Sequence, residues 1–365
     1  MSAQTHDQSQ GQKQGPIDVH AHVILPALGA AMAQRAPEFI ARSEALEARR
    51  SGPESMETTG KMIGSRFKLL TDLDARIAEM DRQGVDRQWV SPSPSHFYPW
   101  ADADLARFAW REAHRGLAEH VAEAPDRLDG LGLIPLQHPD QCVEALEDAV
   151  LNHGFLGVEI SSFADSHPED PSYADTVELN DPRLEDFWSR AEELNAVVFL
   201  HPFGCSLDER LDSHYLTNTV GQPVENAVAI SHLIFSGVLD RHPELAIVAA
   251  HGGGYLPTAI GRSDRAWQVR PEARTCKRIP SSYLTHLYFD TVVHSVMQLR
   301  QLVEVVGIQQ VVMGSDYPFD MGTEEPVRFV EQALGGSEQV EFLTAHELAM
   351  QAKATAARVK EGAKA

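Results

Sequence analysis

The sequence predicts an α/β fold, a (β/α)8 TIM-like barrel, and three observations favour it. Eight short apolar runs recur along the chain, from IDVHAH at residue 17 to QVVMGSDYPF at residue 310. Stretches with apolar residues at three- and four-residue steps, such as 73–84 and 139–154, separate the runs as helices would. Glycine-rich phosphate loops of the GxGxxG or GxxxxGK[ST] type, which an open doubly wound sheet would favour, are missing. Alternating strands and helices in eight units therefore indicate a barrel with a parallel sheet.

Each predicted element follows in chain order from these runs. The predicted strands are IDVHAH, VDRQWVSPSP, LDGLGLIP, LGVEISS, AVVFLHPF, AIVAAHGGG, LYFDTVVH and QVVMGSDYPF. Residues 26–70 separate the first two strands and look partly helical, so we expect an inserted excursion over the barrel mouth. Residues 1–15 are polar and Gln-rich, which predicts a disordered tail. We expect a single barrel domain over 16–350 and a helix end with a charged tail over 351–365.

Composition narrows the classes of function. The chain has 365 residues, enough for one large barrel, and a formal net charge of -22 without a basic run. This charge argues against nucleic acid and anionic membrane surfaces as partners. The three widely spaced cysteines form no disulfide framework, and no apolar segment has the length of a signal peptide core or a membrane span. A cytoplasmic protein is the simplest expectation.

Polar side chains lie at the carboxyl-terminal ends of several predicted strands, where the apolar run gives way to a loop. His20 and His22 lie one residue apart, so their imidazoles share one face of the first strand. The polar residues at the strand ends are His20, His22, Glu159, His201, His251 and Asp316. Functional groups of a (β/α)8 barrel cluster at this end of the strands. A single histidine there is usually a hydrogen-bonded structural residue, but this joint pattern predicts a site for a divalent metal ion.

Two interpretations of Glu159 remain open. As a bridging carboxylate, it would place His201 and His251 on a second ion, which favours hydrolysis or, with iron or manganese, oxygen chemistry. Alternatively, Glu159 orients a neighbouring ligand or pairs with an arginine. The HGGG sequence at residue 251 also occurs in oxyanion holes of esterases, but the GxSxG motif that such enzymes need is missing.

Four segments carry a more specific resemblance. IDVHAH, the HP at residue 201, AHGGGYLPTAIGR at 250–262 and GSDYPFDMG at 314–322 resemble the amidohydrolase superfamily. More narrowly, they are similar to its amidohydrolase-2 branch, which contains aminocarboxymuconate semialdehyde decarboxylase. The resemblance runs from about residue 17 to about residue 335 and covers nearly the whole predicted barrel.

The resemblance implies a role for each matching residue. The implied ligands of one divalent ion, usually zinc, are His20, His22, His201 and Asp316. His251 would act as acid or base beside a metal-bound water, with Asp316 counted among the catalytic residues. Arg262 would hold a substrate carboxylate, with Arg66 as the second arginine and Phe203 as an aromatic wall.

The function that follows is a metal-dependent nonoxidative decarboxylase of a small unsaturated or aromatic carboxylic acid. The alternatives are a hydrolase or hydratase that uses the same water, and a binuclear iron or manganese oxygenase. Manganese or iron could replace zinc in the first case, since sites with three histidines and one aspartate accept several divalent ions. The resemblance also implies a homodimer, or pairing with a related subunit, because an arginine of this family can reach a neighbouring subunit's site.

Overall fold

A computed structural model describes residues 15–164, 176–335 and 342–362 of the chain. The tail predicted over 1–15 therefore lies, except for Gly15, outside the described residues. Within the described part, the eight predicted runs each contain one strand of a single parallel sheet.

The eight strands follow one another around the sheet in chain order. They are β1 (Ile17–Val23), β2 (Arg87–Pro92), β3 (Leu128–Leu133), β4 (Gly157–Ile160), β5 (Val197–Leu200), β6 (Ala246–Ala249), β7 (Tyr288–Asp290) and β8 (Val311–Val312). Hydrogen bonds then join β1 to the chain that follows β8. The Val19 N–H donates to the Met313 carbonyl at 2.9 Å, and the Asp316 N–H donates to the His20 carbonyl at 2.9 Å. The prediction of an eight-stranded α/β barrel is confirmed.

Helices surround the barrel, and most follow a strand. Their bounds are α1 (Pro26–Arg35), α2 (Pro37–Ser51), α3 (Pro53–Thr71), α4 (Leu73–Gln83), α5 (Ala103–Ala122), α6 (Pro139–Glu147), α7 (Glu185–Glu193), α8 (Gln222–Phe235), α9 (Val238–Arg241), α10 (Leu256–Val269), α11 (Val296–Val306), α12 (Pro326–Leu334) and α13 (Phe342–Gly362). Among the helices described, none combines the length and the apolar character needed to cross a bilayer. A short antiparallel ribbon pairs 163–164 with 177–178 beyond β4.

Helices α1 to α3 occupy the stretch between β1 and α4 where the sequence predicts an insertion. Their side chains bind loops that follow barrel strands. Arg49 of α2 forms an ion pair with Asp208, in the loop after β5. Arg66 of α3 donates to the carbonyl of Pro318, in the loop after β8, at 2.9 Å. The three helices thus lie at the end of the barrel where the strands have their carboxyl termini.

Helix α13 lies at the opposite end of the barrel. Leu348 and Ala352 pack into the apolar cluster that contains Ile17 and Trp89. The boundary that the sequence suggests at residue 350 falls inside this helix, which continues to Gly362. The side chains of Ala352, Thr355 and Ala356 are buried, so the second half of the helix packs on the protein.

Strand β1 departs from regular alternation. Its pairing with β2 shifts register between Asp18 and Ala21, which marks a bulge. Before the shift, Ile17 and Val19 belong to the interior apolar cluster, whereas Val23 packs in the outer cluster beneath the helices. A bulge reverses which residues face inward, so the strand directs both its apolar start and its later histidines to the barrel interior.

Candidate metal centre

The ring nitrogens of His20 and His22 converge with a carboxylate at the carboxyl-terminal end of the barrel. The two Nε2 atoms lie 3.1 Å apart. Asp316 Oδ1 lies 3.4 Å from each of them, and its Oδ2 lies 3.8 Å from His251 Nε2. These four residues come from β1, from the segment after β6 and from the segment after β8. The structure therefore brings together residues that are up to 296 positions apart, as the strand-end pattern predicts.

His201, which follows β5, completes this cluster. Its ring centroid lies 5.0 Å from that of His20, 5.1 Å from that of His22 and 5.0 Å from that of His251. The His201 Nδ1 hydrogen-bonds the Pro202 carbonyl at 2.9 Å, which leaves Nε2 as the free ring nitrogen. That Nε2 is buried and has no hydrogen-bond partner among the described residues.

The donor set fits a divalent ion. Ligand atoms of His20, His201, His251 and Asp316 lie within 4.8 Å of one another. Imidazole nitrogen and carboxylate oxygen are ligands that zinc, manganese and iron accept. Buried polar atoms are normally hydrogen-bonded, so the unpartnered Nε2 of His201 requires an explanation. A cation bound among these atoms provides one, and the structure supports a divalent metal site.

Asp290 at the end of β7 fixes the orientation of His20. Its Oδ2 lies 2.6 Å from His20 Nδ1, so Nδ1–H donates and Nε2 is left to face the cluster. Asp290 Oδ1 accepts from the backbone N–H groups of Gly252 and Val292, at 2.9 and 3.0 Å. A carboxylate that orients a metal-binding histidine in this way also makes the imidazole more basic, and therefore a stronger ligand for a metal ion.

Glu159 lies on the other side of His22. Its Oε1 is 4.0 Å from His22 Nδ1, the nitrogen that also lies 3.1 Å from Ser91 Oγ. Both carboxylate oxygens of Glu159 are buried and lack a hydrogen-bond partner in the described part of the chain. His22, Glu159 and His201 form a second group with ligand atoms within 4.8 Å. The arginine partner considered for Glu159 from the sequence is not found among the described residues.

The electrostatics of the cluster place one positive charge on His20. Burial acts to lower the pKa of His20, but Asp316 and Asp290 outweigh it and raise that pKa to about 10. Burial lowers the pKa of His22 to about 4. Burial and the neighbouring imidazoles hold the pKa of His201 well below its usual range. Without a metal ion, therefore, His20 carries a proton near neutral pH while His22 and His201 stay neutral.

We expect metal binding at pH 6.0–6.5 to release about one proton, because His20 must lose its Nε2 proton before it can bind a cation. The apparent metal affinity should then rise about tenfold per pH unit below the His20 pKa of about 10. Titration calorimetry in two buffers of different ionisation enthalpy measures the proton count. Release of two protons would indicate that Glu159, whose pKa burial raises well above its usual value, also ionises. Release of none would contradict the assigned charge of His20.

Backbone strain coincides with two residues of the cluster. His251 and Asp316 are non-glycine residues with φ of 54° and 60°. Such conformations are costly for L-residues and persist where the surroundings hold them. The glycines after His251 serve packing, since a Cβ on Gly254 would lie 2.0 Å from the Pro223 carbonyl oxygen. The HGGG sequence therefore forms the tight turn from β6 to α10.

Aromatic side chains occur in the loops at this end of the barrel. The Phe203 and Phe97 rings are 6.2 Å apart in an edge-to-face arrangement, which joins the loop after β5 to the loop after β2. The Phe319 ring lies 5.6 Å from that of His22. Sequence reasoning selected Phe203 but missed Phe319, although it belongs to the same GSDYPF segment as Asp316.

Within the described residues, neither of the two arginines selected from the sequence contacts the cluster. Arg262 is exposed on α10 and forms no ion pair with another residue that the structure describes. Arg66 donates to the Pro318 carbonyl and to Glu324, so its guanidinium already holds the loop after β8. Arg50, which the sequence reasoning missed, is 13% exposed and pairs with Asp208 through Nη2 at 3.3 Å, while its buried Nε has no partner in the described chain. Its Nη1 lies 3.7 Å from where a Cβ on Gly204 would stand, in the loop after His201.

Comparison with known proteins identifies the family of the chain. A family model described as Amidohydrolase matches residues 17–359. The chain is 33% identical to a 2-amino-3-carboxymuconate-6-semialdehyde decarboxylase of Dictyostelium discoideum over 71% of this chain and 70% of the relative. It is 30% identical to a gamma-resorcylate decarboxylase of Rhodococcus jostii over 76% of this chain and 88% of the relative.

A solved structure extends the comparison to the fold. The dihydroxybenzoic acid decarboxylase of a Polaromonas species, crystallised with manganese and 2-nitroresorcinol, superimposes with a TM-score of 0.74 at 22% identity. The match covers 92% of this chain and 97% of that one. With the family model spanning nearly the whole barrel, the chain belongs to the amidohydrolase family, in the amidohydrolase-2 branch.

Proposed function

We propose that the protein is a metal-dependent nonoxidative decarboxylase of a small aromatic or unsaturated carboxylic acid. The observation that carries the proposal is the convergence of His20, His22, His201 and Asp316 beside an aromatic wall. The relatives are decarboxylases of acids of this type. The negative net charge of the chain makes local positive charge necessary wherever a carboxylate substrate binds.

The proposed ligands of the ion are His20, His22, His201 and Asp316, with His20 oriented by Asp290. An ion bound there would supply Lewis acidity toward a substrate oxygen and lower the pKa of a bound water. Zinc is the proposed metal, and manganese is the alternative that the Polaromonas relative supports. The aromatic rings of Phe203 and Phe319 would hold a planar substrate against this group.

His251 is the proposed acid of the reaction. Decarboxylation breaks the bond between the carboxyl carbon and the ring or diene carbon, and the bonding electrons stay on that carbon. A proton must reach the carbon as CO₂ leaves, so a positioned donor accelerates the step. His251 suits this role because its Nε2 faces Asp316 and its side chain is 18% exposed, which leaves a path to substrate and solvent.

Arg50 is the better candidate than Arg66 for the substrate carboxylate. Its Nη2 lies 3.3 Å from Asp208 Oδ1, but its buried Nε has no partner in the described chain, whereas Arg66 binds the loop after β8 through two of its nitrogens. Arg50→Met should raise KM about tenfold or more, since a charge-assisted hydrogen bond is worth about 1.5–3 kcal/mol. The neighbouring Arg49 is the matched control: it forms ion pairs with Asp208 and Glu209. Steady-state kinetics should show near-normal KM for Arg49→Met. Equal effects of the two substitutions would argue against a substrate contact by Arg50.

Arg262 has a different proposed role. Its exposure on α10 supports contact with the site of a second copy of the chain in a homodimer. Mixing inactive His251→Gln subunits with Arg262→Met subunits provides the test. Recovered activity in the mixture would support a shared site, whereas additive activities of the two preparations would count against it.

A second candidate function rests on the group formed by His22, Glu159 and His201. A second ion there would favour a hydrolase, a hydratase or an oxygenase over a decarboxylase. Glu159 approaches His22 through Nδ1, however, and the Nε2 of His22 faces Asp316. Glu159 is therefore poorly placed to bridge to an ion beside Asp316, and one ion per chain is the proposed content.

Elemental analysis of protein purified without added metal, followed by assay against a panel of acids, tests the proposed function. The expected result is about one divalent ion per chain and release of CO₂ from at least one aromatic acid. About two ions per chain, with hydrolysis or oxygen uptake and no CO₂ release, would support the second candidate instead.

A further inference from the structure

Four buried polar side chains form a hydrogen-bonded chain behind the metal-binding cluster. Arg76 of α4 donates from Nη1 to Gln88 Oε1 at 2.9 Å, and Gln88 donates from Nε2 to Asp18 Oδ2 at 3.0 Å. Ser315 donates from Oγ to the same Asp18 oxygen at 2.6 Å. The exposed fraction of each of these residues is 1% or less. We call these four residues the β1–β8 relay.

The relay binds the backbone of both segments that carry the proposed ligands. Asp18 Oδ1 accepts from the N–H of His20 at 3.1 Å and from the N–H of Ser315 at 3.0 Å. Arg76 Nη2 donates to the carbonyl of His22 at 2.5 Å. One carboxylate thus joins the start of the histidine pair to the residue before the aspartate ligand, and one guanidinium holds the end of the pair.

The relay also flanks the strained backbone of Asp316. Ser315 Oγ accepts from the Tyr317 N–H at 3.1 Å. The Arg76 guanidinium lies 4.8 Å from the centre of the Tyr317 ring. Asp316 itself has φ of 60°, a conformation that persists only where its neighbours hold it. The residues on both sides of Asp316 are therefore fixed by contacts with the relay.

Stability alone is a poor explanation for this arrangement. Arg76 and Asp18 are both fully buried, and Gln88 separates them, so they do not form a direct ion pair. Arg76 Nε has no hydrogen-bond partner among the described residues. Burying charges in this way is often less favourable than apolar packing of the same volume. Buried polar networks do, however, fix relative positions more sharply than apolar contacts, and partners of metal ligands tune affinity.

We propose that the β1–β8 relay is a positioning device that sets the spacing of His20 and His22 relative to Asp316 and thereby the affinity for the metal ion. The proposal rests on the proposed metal site, and it adds residues that do not touch the ion. Asp18, Gln88, Arg76 and Ser315 are thus positioning residues.

The test compares two relay variants with a matched buried carboxylate. Asp18→Asn removes the charge, and Ser315→Ala removes only the hydroxyl. Asp129→Asn is the control, since Asp129 also lies on a barrel strand and is 6% exposed but pairs with Arg87 and Lys353. Affinity for Zn²⁺ is measured by competition with a chromophoric chelator, and thermal unfolding of the metal-free proteins is measured in parallel.

We expect Asp18→Asn and Ser315→Ala to weaken Zn²⁺ binding about tenfold or more, the usual effect of removing partners of metal ligands. The Zn²⁺ affinity of Asp129→Asn should stay within about twofold of that of the unmodified protein, even if its melting temperature falls. Unchanged Zn²⁺ affinity in the relay variants, with losses of melting temperature like that of the control, would overturn the proposal. If Asp18→Asn does not fold, the Zn²⁺ affinity of Ser315→Ala alone tests the proposal. If the unmodified protein binds no divalent ion, the proposed metal-dependent function is wrong as well. If the unmodified protein binds the ion and the relay variants bind it equally well, only the relay proposal is wrong.

Discussion

Asp316→Ala should abolish metal binding and CO₂ release together. Asp316 places one oxygen 3.4 Å from both His20 Nε2 and His22 Nε2, so its removal takes away the only carboxylate central to the proposed ligand set in the described chain. Partners that merely orient ligands change affinity about 10–100-fold, and loss of a ligand should exceed this range. The unmodified protein should melt at a higher temperature with added Zn²⁺, because ligands that bind the native state stabilise it. The variant should lose that shift.

Asp320→Asn provides the control for this experiment. Asp320 lies in the same loop after β8, but its side chain is exposed. This variant should keep both the metal-dependent shift in melting temperature and the rate of CO₂ release. A normal melting shift in Asp316→Ala would show that the ion, if bound, does not depend on this carboxylate, and the proposed ligand set would then be wrong.

His251→Gln should lower kcat about 10²–10⁴-fold while the protein keeps its metal ion, because the proposed acid is lost and four other ligands remain. His251 makes the longest of the three contacts between an imidazole and Asp316, 3.8 Å between Nε2 and Oδ2. Metal content by elemental analysis and kcat by CO₂ release are measured on the same preparation. This variant distinguishes two roles of His251. If His251 is the acid, the variant keeps its metal ion, and if His251 is a ligand, the variant loses metal.

His286→Gln is the matched substitution outside the site. His286 lies in the segment before β7, at the opposite end of that strand from Asp290, and contacts Arg278. Its replacement should leave kcat near normal. Loss of metal in His251→Gln would assign His251 as a ligand and favour the binuclear alternative, whereas a normal kcat would exclude it as the acid.

The barrel and the ligand cluster could be predicted from the sequence because both depend on short-range patterns. Each strand is a local apolar run, and the parallel topology brings the ends of the runs together. His20 and His22 then meet His201 and Asp316 without any knowledge of loop structure. Asp290 fits the same pattern, because it closes β7 and orients His20 through a 2.6 Å contact.

The remaining features depend on tertiary packing that periodicity does not encode. The bulge in β1 follows from its pairing with β2, and strict alternation would have placed Val19 and His22 on opposite faces. The helical period of the insertion did not reveal that Arg66 binds the loop after β8 while Arg50 lies near the loop after β5. The burial of Asp18 and Arg76 could not be predicted from the sequence, because it depends on hydrogen-bond partners that lie far away along the chain.

The central claim is that one divalent ion in this cluster supports nonoxidative decarboxylation. Its most direct test is release of ¹³CO₂ from carboxyl-labelled aromatic acids, beginning with gamma-resorcylate, by protein loaded with one equivalent of Zn²⁺ or Mn²⁺. We predict metal-dependent ¹³CO₂ release from at least one acid without oxygen consumption, and no release by Asp316→Ala. Hydrolysis of esters, lactones or amides by the loaded protein, with no ¹³CO₂ from any acid of a broad panel, would contradict the claim.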